Sequence, residues 1–286
     1  MKKRIPFGVL VCCLALICLL SQGIDILITK GEMTYRLWTR LRPHAPLDLT
    51  EVVPDGLTSY SYESLCERED VQILTTMMLV NASHPLPADY VAVLQEYNGA
   101  RMHPEMVAPY VALRDEVQAK TGIRIYVASD FRTREEQEAI LAESGGDVAA
   151  QVGCSEHEAG LALDVYAPYF GGESFLKSSA GRLVNEICSR YGFIVRYPLG
   201  REDVTGITYE PWHLRYVGEP HAKLISESGL TLEEYLQALE MGKWYRTGEY
   251  LISRQSMDQI ALPEAWQDCQ ISPDNTGCAI ITIKMI

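Results

Sequence analysis

Positive charge is what this sequence has least of. Over 286 residues, 25 Lys and Arg face 38 Asp and Glu, a formal net charge of −13, whereas binding a phosphate backbone needs a basic field. Nucleic acid is therefore excluded as a partner. There is no C-x-x-C pair, internal repeat or low-complexity tract, which excludes a dithiol motif and a repeat array. Nor is there a compositional excess: 47% hydrophobic, 22% charged, 21 Gly and 14 Pro describe an ordinary globular chain, neither disordered nor collagen-like. The length suits one large domain or two small ones.

What basic charge exists is unevenly placed. Lys2, Lys3 and Arg4 precede an apolar run from Ile5 to Leu20, and Ile24, Ile26, Leu27 and Ile28 extend it around Asp25. Without residues 1–30 the chain holds 21 basic and 37 acidic side chains, a net −16. From Ile5 to Thr29 the stretch is long enough to span a bilayer if Asp25 lies near the outer interface. No small-x-small cleavage signal follows Leu20, and Val11 and Ile17 stand where a lipoprotein carries small residues before its cysteine. The expectation is an uncleaved transmembrane helix over residues 1–30, with the N-terminus inside and the remainder outside the cell membrane. A cleaved signal and a buried core helix are the other readings. Residues 31–58, with Pro43, Pro46, Pro54 and Gly56, read as a linker.

Beyond it, VQILTTMMLV (71–80) reads as a buried strand, 105–120 as a helix ended by Gly122, and 123–128 as a strand. A helix is expected over 133–143, stopped by Gly145-Gly146, then a strand over 161–166. A helix over 177–191 closed by Gly192 and a strand over 193–197 follow. Two short helices lie near 219–228 and 231–240, the second opened by a Thr231/Glu234 capping box. From 248 the chain reads as β-rich, with CAIITIKMI as a closing strand. Mixed elements without a βαβ rhythm give an α+β fold: a body over 59–247 with a C-terminal β-rich extension over 248–286. Outside the apolar segment stand Cys66, Cys154, Cys188, Cys269 and Cys278. Cys269 and Cys278 flank a turn sequence, which leaves open a bridge across a hairpin or two buried thiols.

Only six histidines occur, and two keep unusual company. In Ser155-Glu156-His157-Glu158-Ala159-Gly160-Leu161-Ala162-Leu163-Asp164, strand alternation that buries Leu161, Leu163 and Val165 turns Asp164 to the open face. In Tyr209-Glu210-Pro211-Trp212-His213 the proline excludes a helix interior, and Glu210 and His213 reach one ion only if the backbone is irregular. Two imidazoles and one carboxylate make a catalytic zinc set, and a further carboxylate beside it takes a proton from water. His44, His84, His103 and His221 lack partners at ligand spacing and read as structural or surface residues. Arg134-Glu135-Glu136 and Glu233-Glu234 read as solvated helix faces, and Trp212 and Tyr216 as pocket walls or packing.

Ser155, His157, Gly160, Ala162 and Asp164 match S-x-H-x-x-G-x-A-x-D, and Glu210 to His213 match E-P-W-H. The chain thereby resembles the VanY-type zinc D,D-carboxypeptidases and the related L,D-carboxypeptidases. Ser129-Asp130-Phe131-Arg132-Thr133 with Gln137 is similar to the family's S-G-Y-R-S…Q, and Tyr191 to Pro198 to its Y-G-F-I-x-R-Y-P. LVNASHPLP, TGITYEPWHLRYVG, TLEEYL and SPDNTG agree as well, so the likeness covers about residues 70–286. It departs where Asp130 and Phe131 replace Gly and Tyr, at Cys154, and where Cys278 replaces a Gly after Gly277.

The resemblance implies a hedgehog/D,D-peptidase-like fold, a small antiparallel sheet with flanking helices, and one Zn2+ on His157, Asp164 and His213. Glu210 is then the catalytic base, and Arg132 stabilises the carbonyl oxygen or transition state and binds substrate. Gln137, Ser155 and Trp212 line the pocket; a Cys154 thiolate is the lesser ligand reading, since the His/Asp/His set is already complete. The implied substrates are peptidoglycan stem peptides ending in D-Ala-D-Ala, from which the terminal D-Ala is removed, with a bearing on glycopeptide resistance or wall remodelling. Trimming of tetrapeptides by L,D-carboxypeptidase activity and a non-catalytic wall-binding role are the rivals.

Overall fold

The computed structural model describes residues 30–144 and 150–285. The chain there opens with a helix, α1 (30–41), then β1 (Thr50–Val52), β2 (Thr58–Tyr60), α2 (Tyr62–Cys66) and β3 (Gln72–Ile73). Next come β4 (Gln95–Tyr97), β5 (Ala100–Met102), α3 (Pro104–Thr121), β6 (Tyr126–Ser129), α4 (Arg134–Ser144) and β7 (Ala162–Tyr166). After them run α5 (Ser179–Ile187), β8 (Phe193–Val195), α6 (Glu202–Thr205), β9 (His213–Tyr216), α7 (His221–Ser228) and α8 (Leu232–Ala238). The last strands are β10 (Trp244–Thr247), β11 (Tyr250–Ser256), β12 (Ile260–Leu262), β13 (Asp268–Pro273) and β14 (Cys278–Lys284).

Two sheets organise this α+β body. The smaller is antiparallel in the order β6-β7-β9-β8. Strand alternation sends Leu163, Val165 and Leu214 to one face, where they pack on Met106, Leu113 and Val117 of α3 and Val184 of α5. The opposite face is left for chemistry. The larger sheet runs β1-β10-β11-β14-β13-β3, antiparallel except for β13 with β3. Helices α7 and α8 lie between the sheets, since Leu224, Leu232 and Tyr235 share a core with Ile194 of β8 and with Ile252 and Ile280. Leu251, Ile281 and Ile283 are buried in a further cluster with Leu65 and Leu262. Because β14 is buried on both faces, it reads as a continuous apolar run.

Several expectations change. Residues 31–58, read as a linker, contain most of α1 and all of β1, which edges the large sheet. The β10–β11 hairpin crosses the boundary placed at 247/248. Of 71–80 only Gln72–Ile73 is strand, although Met77 to Val80 are buried. The backbone there is satisfied by side chains: Arg215 Nη2 donates to the carbonyls of Thr76 (2.9 Å) and Met78 (2.6 Å), and Ser272 Oγ accepts from Met77 N (2.9 Å). Strand β6 starts at Tyr126 because Ile123 is held at the helix exit, its N–H donating to Thr121 Oγ1. The helix expected over 177–191 starts at Ser179, because Ser178 caps α5 by accepting from Gly181 N at 2.8 Å, and it tightens into a 3-10 turn over Cys188–Tyr191 before Gly192 closes it. All five cysteines among the described residues are free. Cys269 faces Ile283, while Cys278 lies at the far end of the β13–β14 ladder, ~15 Å along the strands and far beyond disulfide reach. The buried-thiol reading therefore holds for this pair. The 5–29 stretch read as a transmembrane helix and the Gly145-Gly146 stop lie outside the described residues. Among those residues no helix is long and apolar enough to cross a membrane.

Candidate metal centre

The open face of the small sheet gathers the polar residues. Asp164 on β7 is paired with His213 on β9, so both side chains emerge on the same side. His213 escapes the flat-strand geometry that would part it from Glu210 because its N–H donates to the Glu210 carbonyl (3.1 Å), closing a turn around Pro211 and Trp212. His157 arrives from the loop before β7. That loop folds back at Gly160, whose φ of 71° belongs to the left-handed region and whose added Cβ would meet Leu94 at 2.7 Å. Glu158 braces the loop by accepting from Gly153 N at 2.8 Å.

The result is a convergent set. Ligand atoms of His157, Asp164 and His213 lie within 4.8 Å of one another, the one such group among the described residues. His157 Nε2 is 3.4 Å from Asp164 Oδ2, and His213 Nδ1 is 3.0 Å from Asp164 Oδ1. The imidazoles meet edge to face, 5.1 Å apart and 89° inclined. Donors at zinc–ligand distances in a tetrahedron stand about 3.3 Å apart, so two imidazoles and a carboxylate in this spacing fit a zinc ion. Each ring also has an acceptor facing its other nitrogen, within hydrogen-bond reach for His157 and just short of it for His213. His157 Nδ1 lies 2.8 Å from the Asp130 carbonyl, and His213 Nε2 lies 3.5 Å from Glu156 Oε2. That leaves His157 Nε2 and His213 Nδ1 to face the shared point.

Electrostatics follow from burial and crowding. Burial opposes ionisation of Asp164, but His157 and His213 outweigh it and hold its carboxyl far below the usual range. Burial lowers His157. It also works against a charged His213, yet Asp164 and Glu156 raise that imidazole to about 9. Glu210, its Oε2 3.8 Å from His213 Nδ1, is raised by burial, with Asp164 adding and His213 and Arg132 opposing. A carboxyl pushed upward beside a metal set is suited to accepting a proton near neutrality.

Arg132 is held beside the set. Its N–H donates to the His157 carbonyl (3.2 Å), Nη2 donates to Ser129 Oγ and Nη1 to Gln137 Oε1, both at 2.8 Å. Gln137 is buried and also donates to the Ala150 carbonyl (2.7 Å), so both ends of its amide are engaged. Ser155 is buried and accepts from His157 N (3.3 Å). Trp212 is half-buried against the α3/α5 core. Cys154 stays outside the ligand group, its thiol pushed up by burial.

The family model for VanY, D-alanyl-D-alanine carboxypeptidase, matches residues 99–219. The bifunctional D-Ala-D-Ala dipeptidase and D-Ala-D-Ala carboxypeptidase VanXYC of Enterococcus gallinarum is 34% identical over 180 residues, 57% of this chain and 94% of that protein. The chain belongs to the VanY family. A D-alanyl-D-alanine carboxypeptidase of Enterococcus faecium is 32% identical over 187 residues, 58% of this chain, and the match spans 59% of that relative's length. Among solved structures, a mutant of the vancomycin-resistance D,D-pentapeptidase VanY in complex with Zn(II) is 34% identical with a TM-score of 0.51. The match covers 56% of this chain and 98% of that one. The family segment contains His157, Asp164, Glu210, His213 and Arg132.

Sequence reasoning missed the support beneath the site. Glu156, Arg196 and Arg215 are fully buried, and Glu233, read as part of a solvated helix face, is buried too. Glu233 takes both Arg196 Nη1 (2.9 Å) and Nη2 (2.6 Å). A signal existed for the arginines, which interrupt the apolar runs Phe193–Tyr197 and Leu214–Val217. For Glu233 there was none, because its neighbour Glu234 looks alike and instead completes the cap of α8.

Proposed function

We propose that this chain is a zinc-dependent D-alanyl-D-alanine carboxypeptidase that removes the terminal D-Ala from peptidoglycan pentapeptides. The reading is carried by one observation: His157, Asp164 and His213 converge within 4.8 Å with Glu210 at their side. His157, Asp164 and His213 would hold the zinc, which when bound would supply Lewis acidity toward the scissile carbonyl and toward water. Glu210 takes the proton of the attacking water and hands it to the leaving amine. Arg132 presents paired donors to the developing oxyanion or to the peptide's terminal carboxylate. Gln137 fixes that guanidinium, and Ser155 fixes the backbone of His157. Loss of D-Ala-D-Ala termini removes the group that glycopeptides bind, which ties the activity to resistance or to wall remodelling.

The peptidase body, whose large sheet joins β1, β3 and β10 to the strands after residue 248, works outside the cytoplasmic membrane. It is tethered there through residues 1–30 with the N-terminus inside. Support comes from the Lys2-Lys3-Arg4 start, the apolar run after it and an exposed apolar stripe on α1.

Glu210→Gln tests the chemistry. The variant is expected to keep one zinc per chain and to lose about 10²–10⁴-fold in D-Ala release from a defined pentapeptide. A wild-type rate would overturn the role of Glu210, and a native chain with zinc but no turnover would leave only wall binding. Hydrolysis of the tetrapeptide alone would replace D,D by L,D specificity.

A further inference from the structure

We infer that Glu156 is a positioning residue for the metal centre: its Oε2 orients His213 by accepting the Nε2 proton, and a buried arginine pair holds that carboxylate in place. The inference rests on the reading that His157, Asp164 and His213 hold zinc.

The two oxygens of Glu156 are used differently. Oε1 accepts from Arg196 Nε at 2.7 Å and from Arg215 Nη1 at 2.6 Å. Oε2 accepts from neither guanidinium. It lies 3.5 Å from His213 Nε2, and both atoms are buried without a hydrogen-bond partner. Two orphaned buried polar atoms facing each other are costly unless they serve one another. A short closing movement of the imidazole makes that hydrogen bond.

The carboxylate has little freedom to turn away. Arg215 also donates from Nε to the Tyr216 carbonyl (3.0 Å) and from Nη2 to the carbonyls of Thr76 and Met78. Arg196 is clamped at its far end by both oxygens of Glu233. Two cations and two anions thus form a closed group with no exposed guanidinium, its desolvation offset by charge-assisted bonds at nearly every donor. Burying four charges is a poor route to stability alone, since apolar residues of similar volume do as well or better. A fixed negative charge against His213 Nε2 gives the group a use. It keeps the proton on Nε2, leaves the Nδ1 lone pair toward Asp164 and makes the ligand more basic. His157 receives only a neutral carbonyl at its outer nitrogen.

The test compares Glu156→Gln with Glu233→Gln in the full chain. Both disturb the same arginine group, but only the first touches His213. Zinc dissociation constants are read by competition with a chromophoric chelator, ligand geometry by the visible spectrum of the Co(II)-substituted protein, and fold stability by melting of the metal-free form. Glu156→Gln is expected to weaken zinc binding about 10–100-fold and to shift the Co(II) bands. Glu233→Gln is expected to lower the melting temperature while leaving the zinc constant within about twofold. An unchanged zinc constant in Glu156→Gln, or equal weakening in both variants, overturns the inference. If Glu156→Gln does not fold, Glu156→Asp keeps the charge near the arginines but draws it back from His213, and the same weakening is expected. D-Ala release by the native chain is read separately. Tight zinc binding without release sinks the proposed activity and leaves the Glu156 result standing.

Discussion

At the scale of single residues, His221 is a titratable group with no part in the chemistry. It is buried between α7, α8 and β14, with Nδ1 2.7 Å from Tyr235 Oη and Nε2 2.7 Å from Thr282 Oγ1. Burial lowers its pKa to about 3, against about 6.5 in an unfolded chain. Between those values the unfolded state binds a proton that the folded state refuses. The resulting stabilisation is complete above pH 6.5 and drains away as pH falls toward 3. His221→Gln, which keeps polar atoms near both hydroxyls, is expected to show a smaller fall in melting temperature from pH 7 to pH 4 than the native chain. Equal slopes would show that His221 does not control the acid limb. The convergent group His157, Asp164 and His213, with Glu210 beside it, was legible chiefly through the resemblance carried by S-x-H-x-x-G-x-A-x-D and E-P-W-H, while strand alternation by itself gave only the open face for Asp164. Glu156 and Glu233 were not: their partners Arg196 and Arg215 lie about 40 to 60 positions away from them in the chain, and nothing local separates a buried acid from a solvated one.

At the scale of elements, legibility followed how local the stabilising contacts are. Helix α3 ends where expected because Gly122 takes φ 73° there and its N–H closes on the Gln118 carbonyl. Helix α8 begins where expected because Thr231 and Glu234 satisfy each other's backbone N–H groups. The 71–80 segment misled because its partners, Arg215 and Ser272, lie well over a hundred positions away. An apolar run says that a segment is buried, not that it joins a ladder. The α8 cap also has a mechanical role, since the first turn it fixes carries Glu233 to Arg196. Thr231→Ala is expected to cost about 1 kcal/mol, a drop of roughly 2–4 °C in melting temperature for a domain of this size. Measured on the metal-free protein, an unchanged melting temperature would mean that packing against α7 alone defines the helix start.

For the molecule as a whole, the proposed tether makes the charge distribution and α1 the features that would govern any contact with a membrane. With a net −16 beyond residue 30, the body is repelled by anionic lipid. One side of α1 departs from that pattern. Tyr35 is buried against the domain, and Arg36 stacks over Tyr209, next to Glu210, at 5.2 Å. The opposite side leaves Met33, Leu37 and Leu41 65%, 57% and 70% exposed, with Trp38 48% exposed beside them. Offsets of four residues place the three aliphatic side chains in one stripe, and Lys30 and Arg40 flank it. An apolar stripe with a tryptophan at its edge and basic flanks suits the headgroup boundary, where aromatic rings and snorkelling cations are at home. Because α1 follows the apolar segment in the chain and its inner face touches the turn that carries Glu210, lipid contact would fix the height of the metal centre above the bilayer. Full-length protein in vesicles containing brominated lipid is expected to lose part of its tryptophan emission, and Trp38→Phe to abolish that loss, since Trp212, Trp244 and Trp266 belong to the body. Quenching of Trp38 by aqueous acrylamide but not by lipid would mean that the stripe faces water. Protection from both would mean that a second copy of the chain covers it.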